Sequence, residues 1–521
     1  MNRRIGLAII VLMIMAIAVL LPMGGLLSVA NLPGFESADL KPWQNHYIQS
    51  VLWFSLWQAG LSALLSVIPA VFVARALYFS GPFPGRSLIL RLFALPLVVP
   101  SVVAVMAIVS VYGSQGPVPL GRSLYGINGI LLAHVFFNLP LAIRLLLPLW
   151  QSVPKHHWQL AKQLNFGVMA RFRYLEWPQM KEGLPGVLLL VFMLCLTSFA
   201  VVLTLGGGPR STTLEVAIYQ SLRFDFDPAQ AVILAIMQLT LCALVAMLTF
   251  GMQKMPEVEM TIEQTGSSYH NERSLFQRIL ILIAVLFVAG PIFMILVDAV
   301  RGPLLEGLSS TKLWRAAAYT LMIGFCSAFL ATFAAWMLIQ GSSDLAHRGK
   351  PQTAKMLETS ASIVYVIPPL VIGTGYFVLM SPHVNVFNWV FPIVIGVNSL
   401  MGLPFVIRTL GPAMRQHHAR HHELCQQLSL TGFNRLRWVD WPLLRKPVGL
   451  SAALVAALAM GDLGVIALFG TTESTTLPLL VYQQLGAYRI PQATVTAVFL
   501  LFVCVTGYWL IERGLGGKTN A

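Results

Sequence analysis

Charge is what this sequence has least of. Asp, Glu, Lys and Arg make up only 10% of its 521 residues, where soluble domains carry roughly 25%. No polar stretch is long enough to form a soluble domain of ordinary size between the apolar runs, so a soluble enzyme or binding module is excluded. Cysteine is scarce as well. Cys195, Cys242, Cys326, Cys425 and Cys504 are odd in number and include no CxxC, which argues against a disulfide framework or a thiolate metal site. They are expected to be small core residues. Acidic side chains number 20 against 34 basic ones. The basic residues are not gathered on a polar domain, so the net charge of +14 does not point to nucleic acid. No nucleophile–base constellation stands out, and the chain is not expected to be an enzyme.

Apolar sequence is what fills the space. The chain is 57% hydrophobic, with a mean hydropathy of +0.74. Runs of about 20 apolar residues suffice to cross a bilayer as helices. They occur at 5–29, 47–77, 88–112, 127–147, 186–205 and 229–250, and again at 279–300, 314–339, 357–380, 388–408, 448–468 and 493–511. The expectation is an all-α integral membrane protein of twelve transmembrane helices. The first run follows Arg3-Arg4 and is too long for the core of a secretory signal. With both termini in the cytoplasm, the inner segments hold about 26 of the 34 basic residues, as the positive-inside bias requires.

The runs divide into two halves, 1–252 and 278–521, joined by a polar cytoplasmic linker at 253–277. Two basic islands, within the loops 151–185 and 412–447, repeat each other. Gln163-Leu164 falls on Gln427-Leu428, Arg171 and Arg173 on Arg435 and Arg437, and Glu176-Trp177-Pro178 on Asp440-Trp441-Pro442. Asn138-Leu-Pro-Leu-Ala-Ile-Arg144 lies over Gly402-Leu-Pro-Phe-Val-Ile-Arg408, and Ser198 lies over Asp462. Parallel repeats imply a pseudo-two-fold axis along the membrane normal, with a path between the halves.

Each island is expected to begin as a short amphipathic helix, with Leu160 and Leu164, or Leu424 and Leu428, four residues apart on one face. A turn is expected near Gly167 or Gly432. The closing Pro178 or Pro442 suits the first turn of the next helix. This pattern resembles the "EAA" loop of binding-protein-dependent ABC importer permeases. Gln159-Leu160-Ala161 and Glu423-Leu424-Cys425 occupy the Glu-Ala-Ala places, and Trp177-Pro178 and Trp441-Pro442 the closing Leu-Pro. The departure is the family glycine, which is Asn165 in one copy and Ser429 in the other. The resemblance implies the MetI-like, type I importer permease fold of two fused six-helix modules. It also implies that these loops dock on a separate, homodimeric ATPase, with ATP and Mg bound by that partner and no cofactor held by this chain.

Segments along nearly the whole chain are similar to the fused thiamine permeases of Gram-negative bacteria, among them Phe54-Ser-Leu-Trp-Gln-Ala, Leu132-Ala-His-Val-Phe-Phe-Asn-Leu-Pro and Tyr482-Gln-Gln-Leu-Gly-Ala-Tyr-Arg489. That resemblance implies an inner-membrane importer for thiamine, its phosphates or both, fed by a periplasmic thiamine-binding protein. Ferric iron or another small solute in the same architecture, and a twelve-helix secondary transporter, are the alternatives. The tail Gly516-Gly-Lys-Thr519 imitates the end of a P-loop, but Glu512 stands where its first glycine belongs.

Polar residues within the spans are costly and often face a cavity. Asp462 and its counterpart Ser198, with His134 and its counterpart Asn398, are candidates for lining the path. Hydrogen bonding between neighbouring helices is the structural alternative. Segments 212–220 and 475–484 are expected to be short external helices. His417-His418-Ala-Arg-His421-His422 has helical metal spacing, but nothing completes a ligand shell.

Overall fold

A computed structural model describes residues 3–27, 44–81, 83–251, 274–430 and 432–516. The expected linker lies outside them up to residue 273, as do the Glu423 side chain and the tail holding Lys518 and Thr519. The described chain is helical throughout. The first half contains α1 (Arg3–Leu27), α2 (His46–Phe79), α3 (Arg86–Leu92), α4 (Ser101–Tyr112), α5 (Ile127–Gln151), α6 (Lys155–Gln163), α7 (Val168–Arg171), α8 (Trp177–Leu196), α9 (Phe199–Leu205), α10 (Leu214–Arg223) and α11 (Pro228–Gly251). The second contains α12 (Leu275–Arg301), α13 (Leu304–Ser309), α14 (Thr311–His347), α15 (Pro351–Ile363), α16 (Pro369–Met380), α17 (Val390–Gln427), α18 (Gly432–Arg435), α19 (Trp441–Met460), α20 (Gly464–Phe469), α21 (Leu477–Gly486) and α22 (Ile490–Gly516).

Ten of the described helical stretches are long and apolar enough to cross a membrane. The apolar runs at 88–112 and 357–380 are not continuous helices. The first is broken between α3 and α4 at Pro96 and Pro100, and the second between α15 and α16 at Pro368 and Pro369. Proline lacks the N–H that the i→i−4 ladder needs, leaving α4 and α16 as apolar helices of 12 residues each. The runs at 186–205 and 448–468 also break, at Thr197-Ser198 between α8 and α9 and at Gly461-Asp462-Leu463 between α19 and α20. Backbone freed within a membrane needs another partner. Gln58 Nε2 reaches the Cys195 carbonyl at 3.2 Å, and Asp462 Oδ1 accepts from the Gly464 N–H at 3.1 Å.

The chain forms two compact units that do not follow its two halves. One comprises Met1–Lys41, Ile218–Leu239 and Pro303–Ala521, the other Pro42–Ala217 and Thr240–Gly302. The opening helix of each half thus packs in the unit built mostly from the other half. In the first unit, α1 lies on α14 and α16. Gly25 and Gly375 face each other so closely that a Cβ on Gly375 would stand 2.3 Å from the Pro22 carbonyl oxygen. Tyr376 donates to the Ala18 carbonyl at 2.8 Å. In the second unit, α12 buries Ile281, Ala284 and Val288 at helical spacing in a core shared with α2, α5 and α8. Ala59, Ala63, Ala70 and Ala74 of α2 are buried in that core, and small residues of this kind let helix backbones approach closely. Four cysteines are buried as expected, but Cys326 is exposed on α14.

Candidate functional site

The two basic islands share their backbone geometry. In the first, α6 ends with Leu164, and Asn165 takes the left-handed conformation at φ +50°. The Phe166 N–H then bonds the Ala161 carbonyl at 2.9 Å, and the Asn165 N–H bonds Lys162 at 3.1 Å. This is the Schellman closure, which satisfies carbonyls that a helix end leaves open. In the second, Ser429 has φ +51°, and the Leu430 N–H bonds the Cys425 carbonyl at 2.8 Å. The turn therefore sits on Asn165 and Ser429, not on the glycines further along. Gly167 is extended at φ −63°, and Gly432 has φ +57° where α18 begins.

The helices entering these turns differ. Pro154 separates α6 from α5, giving the short helix expected in the first copy. The matched position is His418, which can continue a helix, so the second copy is the end of the 38-residue α17 rather than a separate helix. Both nevertheless present the same face. Leu160 and Leu164 are 53% and 58% exposed, and Leu424 and Leu428 are 52% and 61% exposed. The adjacent Ala161 and Cys425 are buried, and Gln159 is exposed. Each helix thus lays a small residue on the protein and turns two leucines outward.

Beyond the turn, the next helix begins earlier than the Trp-Pro pair. α7 runs through one π turn (Phe172–Glu176) into α8, and α18 through the matching π turn (Leu436–Asp440) into α19. The Trp177 N–H bonds the Phe172 carbonyl, and the Trp441 N–H bonds the Leu436 carbonyl. A wider turn accommodates Pro178 and Pro442 inside a continuing helix, where a proline ring would otherwise meet the carbonyl four residues back.

The acid before each Trp-Pro is buried and paired. Glu176 receives a bidentate bond from Arg75 of α2, at 2.7 and 2.9 Å, and a bond from the Trp150 indole of α5 at 3.0 Å. Asp440 is 2.8 Å from His417 Nε2 and 3.4 Å from Arg435 Nε. The acid types were visible in the repeat, but their partners were not, because Arg75 lies 101 residues away and Trp150 is on a different helix. His417 is thus committed to Asp440, and His421 Nδ1 lies 3.1 Å from the His417 carbonyl of its own helix. Among the described residues, no group of three or more His, Cys, Asp and Glu is placed to hold a metal ion.

The path candidates fall in pairs. Asn398, buried on α17, lies beside Asp462 in one unit. The Asp462 carboxylate faces the Gly464 and Val465 N–H groups and the Asn398 side chain. In the other unit, Ser198 occupies the break before α9, while buried His134 is 2.9 Å from Ser62 Oγ through Nδ1. The expected short helices are α10 and α21, each of ten residues. Each is held at its start by a hydroxyl from a long helix. The Leu214 N–H bonds Ser55 Oγ and the Leu477 N–H bonds Thr320 Oγ1, both at 2.9 Å. The matched Tyr219 and Tyr482 hydrogen-bond to each other, and Arg223 donates to the Gly470 carbonyl at 2.7 Å.

No family model matches the chain. It is 44% identical over 510 residues to the thiamine transport system permease protein ThiP of Brucella abortus (strain 2308), covering 96% of this chain and 93% of that protein. It is 41% identical over 492 residues to ThiP of Escherichia coli (strain K12), covering 92% and 91%. A probable molybdenum ABC transporter permease of Haloferax volcanii is 29% identical over 252 residues, which is 47% of this chain but 90% of that protein. Relatives matched over nearly their full length at this identity leave one conclusion: the chain belongs to the thiamine transport system permease family.

Proposed function

We propose that this chain is the membrane-spanning permease subunit of an ATP-driven importer for thiamine, its phosphates or both. The observation that carries the reading is the duplicated island, in which two loops that turn on a left-handed Asn165 or Ser429 each expose a leucine pair. An apolar helical face of this kind suits a groove on a partner. Two such faces suit a homodimeric ATPase, which binds ATP and Mg and supplies the hydrolysis that this chain does not. Counting the proline-broken stretches as spans, the architecture is twelve helices in two six-helix modules, 1–252 and 278–521. Both termini then lie in the cytoplasm, and the protein sits in the inner membrane of a Gram-negative cell.

The mechanism is alternating access. A periplasmic binding protein delivers the vitamin to the outer face. Closure of the ATPase subunits on ATP moves the two loops, and the anchored acids Glu176 and Asp440 pass that motion to the bundle. The path opens outward, takes the cargo and releases it inward after hydrolysis. The names of the two full-length relatives support thiamine as the cargo. Asp462, whose carboxylate stands beside Asn398 at the α19–α20 break, suits a thiazolium cation passing it.

The test is uptake of labelled thiamine by proteoliposomes containing the chain, its ATPase and the binding protein. Uptake should require all three proteins and ATP, ignore ferric ion and be competed by thiamine pyrophosphate. Failure of thiamine to enter, in an assembly that hydrolyses ATP, would overturn the cargo and leave the architecture standing.

A further inference from the structure

A groove of about 840 Å³ opens between α14, α19 and α22, lined by Phe329, Phe333, Trp336, Val448, Leu510 and their apolar neighbours. All three helices belong to the same compact unit. Leu436 and Trp441, the two ends of the second π turn, also line it. On the orientation proposed above, on which this inference rests for its choice of leaflet, the groove lies in the cytoplasmic half of the bilayer.

Its rim is basic. Arg445 lies one helical turn from both Trp441 and Val448 on α19, Arg437 follows Leu436, and Arg513 precedes the lining residue Gly514. All three arginines are exposed. The Arg513 guanidinium stands 4.2 Å from the Trp509 ring centroid and that of Arg437 stands 5.4 Å from Trp438. Among the described residues, no carboxylate pairs with any of the three.

We propose that this groove binds the acyl chains of an anionic glycerophospholipid of the cytoplasmic leaflet, with its phosphate and headgroup held by Arg437, Arg445 and Arg513. An apolar groove between membrane-spanning helices suits hydrocarbon, and basic residues where helices meet the cytoplasmic face select anionic headgroups. The bound chains pack on both ends of the turn that joins the second loop to α19. Lipid occupancy therefore steadies the segment through which the loop moves the bundle.

The experiment is native mass spectrometry of the full chain, released from detergent after incubation with phosphatidylglycerol or phosphatidylcholine. Phosphatidylglycerol should be retained in preference, and Arg445→Gln or Arg513→Gln should each lower its retention about fivefold. Gly514→Phe fills the groove mouth from a position where an added Cβ meets nothing within 4 Å. It should abolish retention while leaving the thermal midpoint in detergent unchanged. Equal retention of the two lipids, or undiminished retention in a folded Gly514→Phe chain, overturns the proposal. Neither arm involves cargo or ATPase, so its failure is distinct from failure of the importer reading.

Discussion

Glu176 shows how much a single side chain can hold in this protein. Its carboxylate is fully buried against a partly exposed Arg75. Removing one partner of a buried pair typically costs about 3–5 kcal/mol, because the other charge is left uncompensated. Glu176→Ala is expected near the lower figure, since Arg75 keeps some contact with solvent. A thermal-unfolding series in detergent checks this, and an unchanged midpoint would remove the anchor role. Asn165 and Ser429 make the opposite case. Both hold a left-handed backbone that glycine adopts without penalty. Asparagine tolerates that region better than serine, so Ser429→Gly should stabilise by up to about 1 kcal/mol and Asn165→Gly by less. Comparing their melting midpoints tests the order.

At the scale of elements, the outward leucines and the α10–α21 contacts make separate predictions. Leu160→Glu combined with Leu424→Glu places a charge on each exposed face without disturbing the buried Ala161 and Cys425. The doubly substituted chain should fold and insert but lose ATP-driven uptake. Retained uptake at the normal rate would rule out docking through these faces. Arg223 reaches the Gly470 carbonyl and stands 5.3 Å from the Phe387 ring centroid, while Tyr219 holds Tyr482. If these contacts keep the outer mouth closed at rest, Arg223→Ala with Tyr219→Phe should raise ATP hydrolysis in the absence of binding protein. An ATPase assay on the reconstituted complex reads this directly, and an unaltered basal rate would assign the contacts to packing alone.

For the whole molecule, the exchange of α1 and α12 between units makes each half dependent on the other. Residues 253–521 expressed alone lack the helix that covers α14 and α16, and should aggregate or be degraded. Supplying 1–252 as a second chain should rescue them, which co-purification would reveal. Gly375 lies at that exchanged contact, facing backbone rather than a flexible side chain. Gly375→Val should destabilise by about 1–3 kcal/mol, the usual cost of overpacking, and should weaken rescue by the separate first half.

Composition and periodicity determined that this chain is a helical membrane protein, because lipid leaves a backbone few alternatives and long apolar runs report that constraint directly. The repeat of the two islands also stood in the sequence, since Arg171-Phe-Arg173 and Arg435-Leu-Arg437 sit at equal distances from their Trp-Pro pairs. Local turn geometry was only half legible: the glycines drew attention to Gly167 and Gly432, whereas the hydrogen bonds closed the turns on Asn165 and Ser429. What tertiary structure alone decided were the distant pairings. Arg75 with Glu176, Ser55 with Leu214, Thr320 with Leu477, and α1 with α16 join residues 101 to 358 positions apart. Hydropathy records only that a helix is buried or bathed in lipid. Which helix it meets depends on shape and on the few polar groups that need partners, and those partners emerge only when the chain is folded.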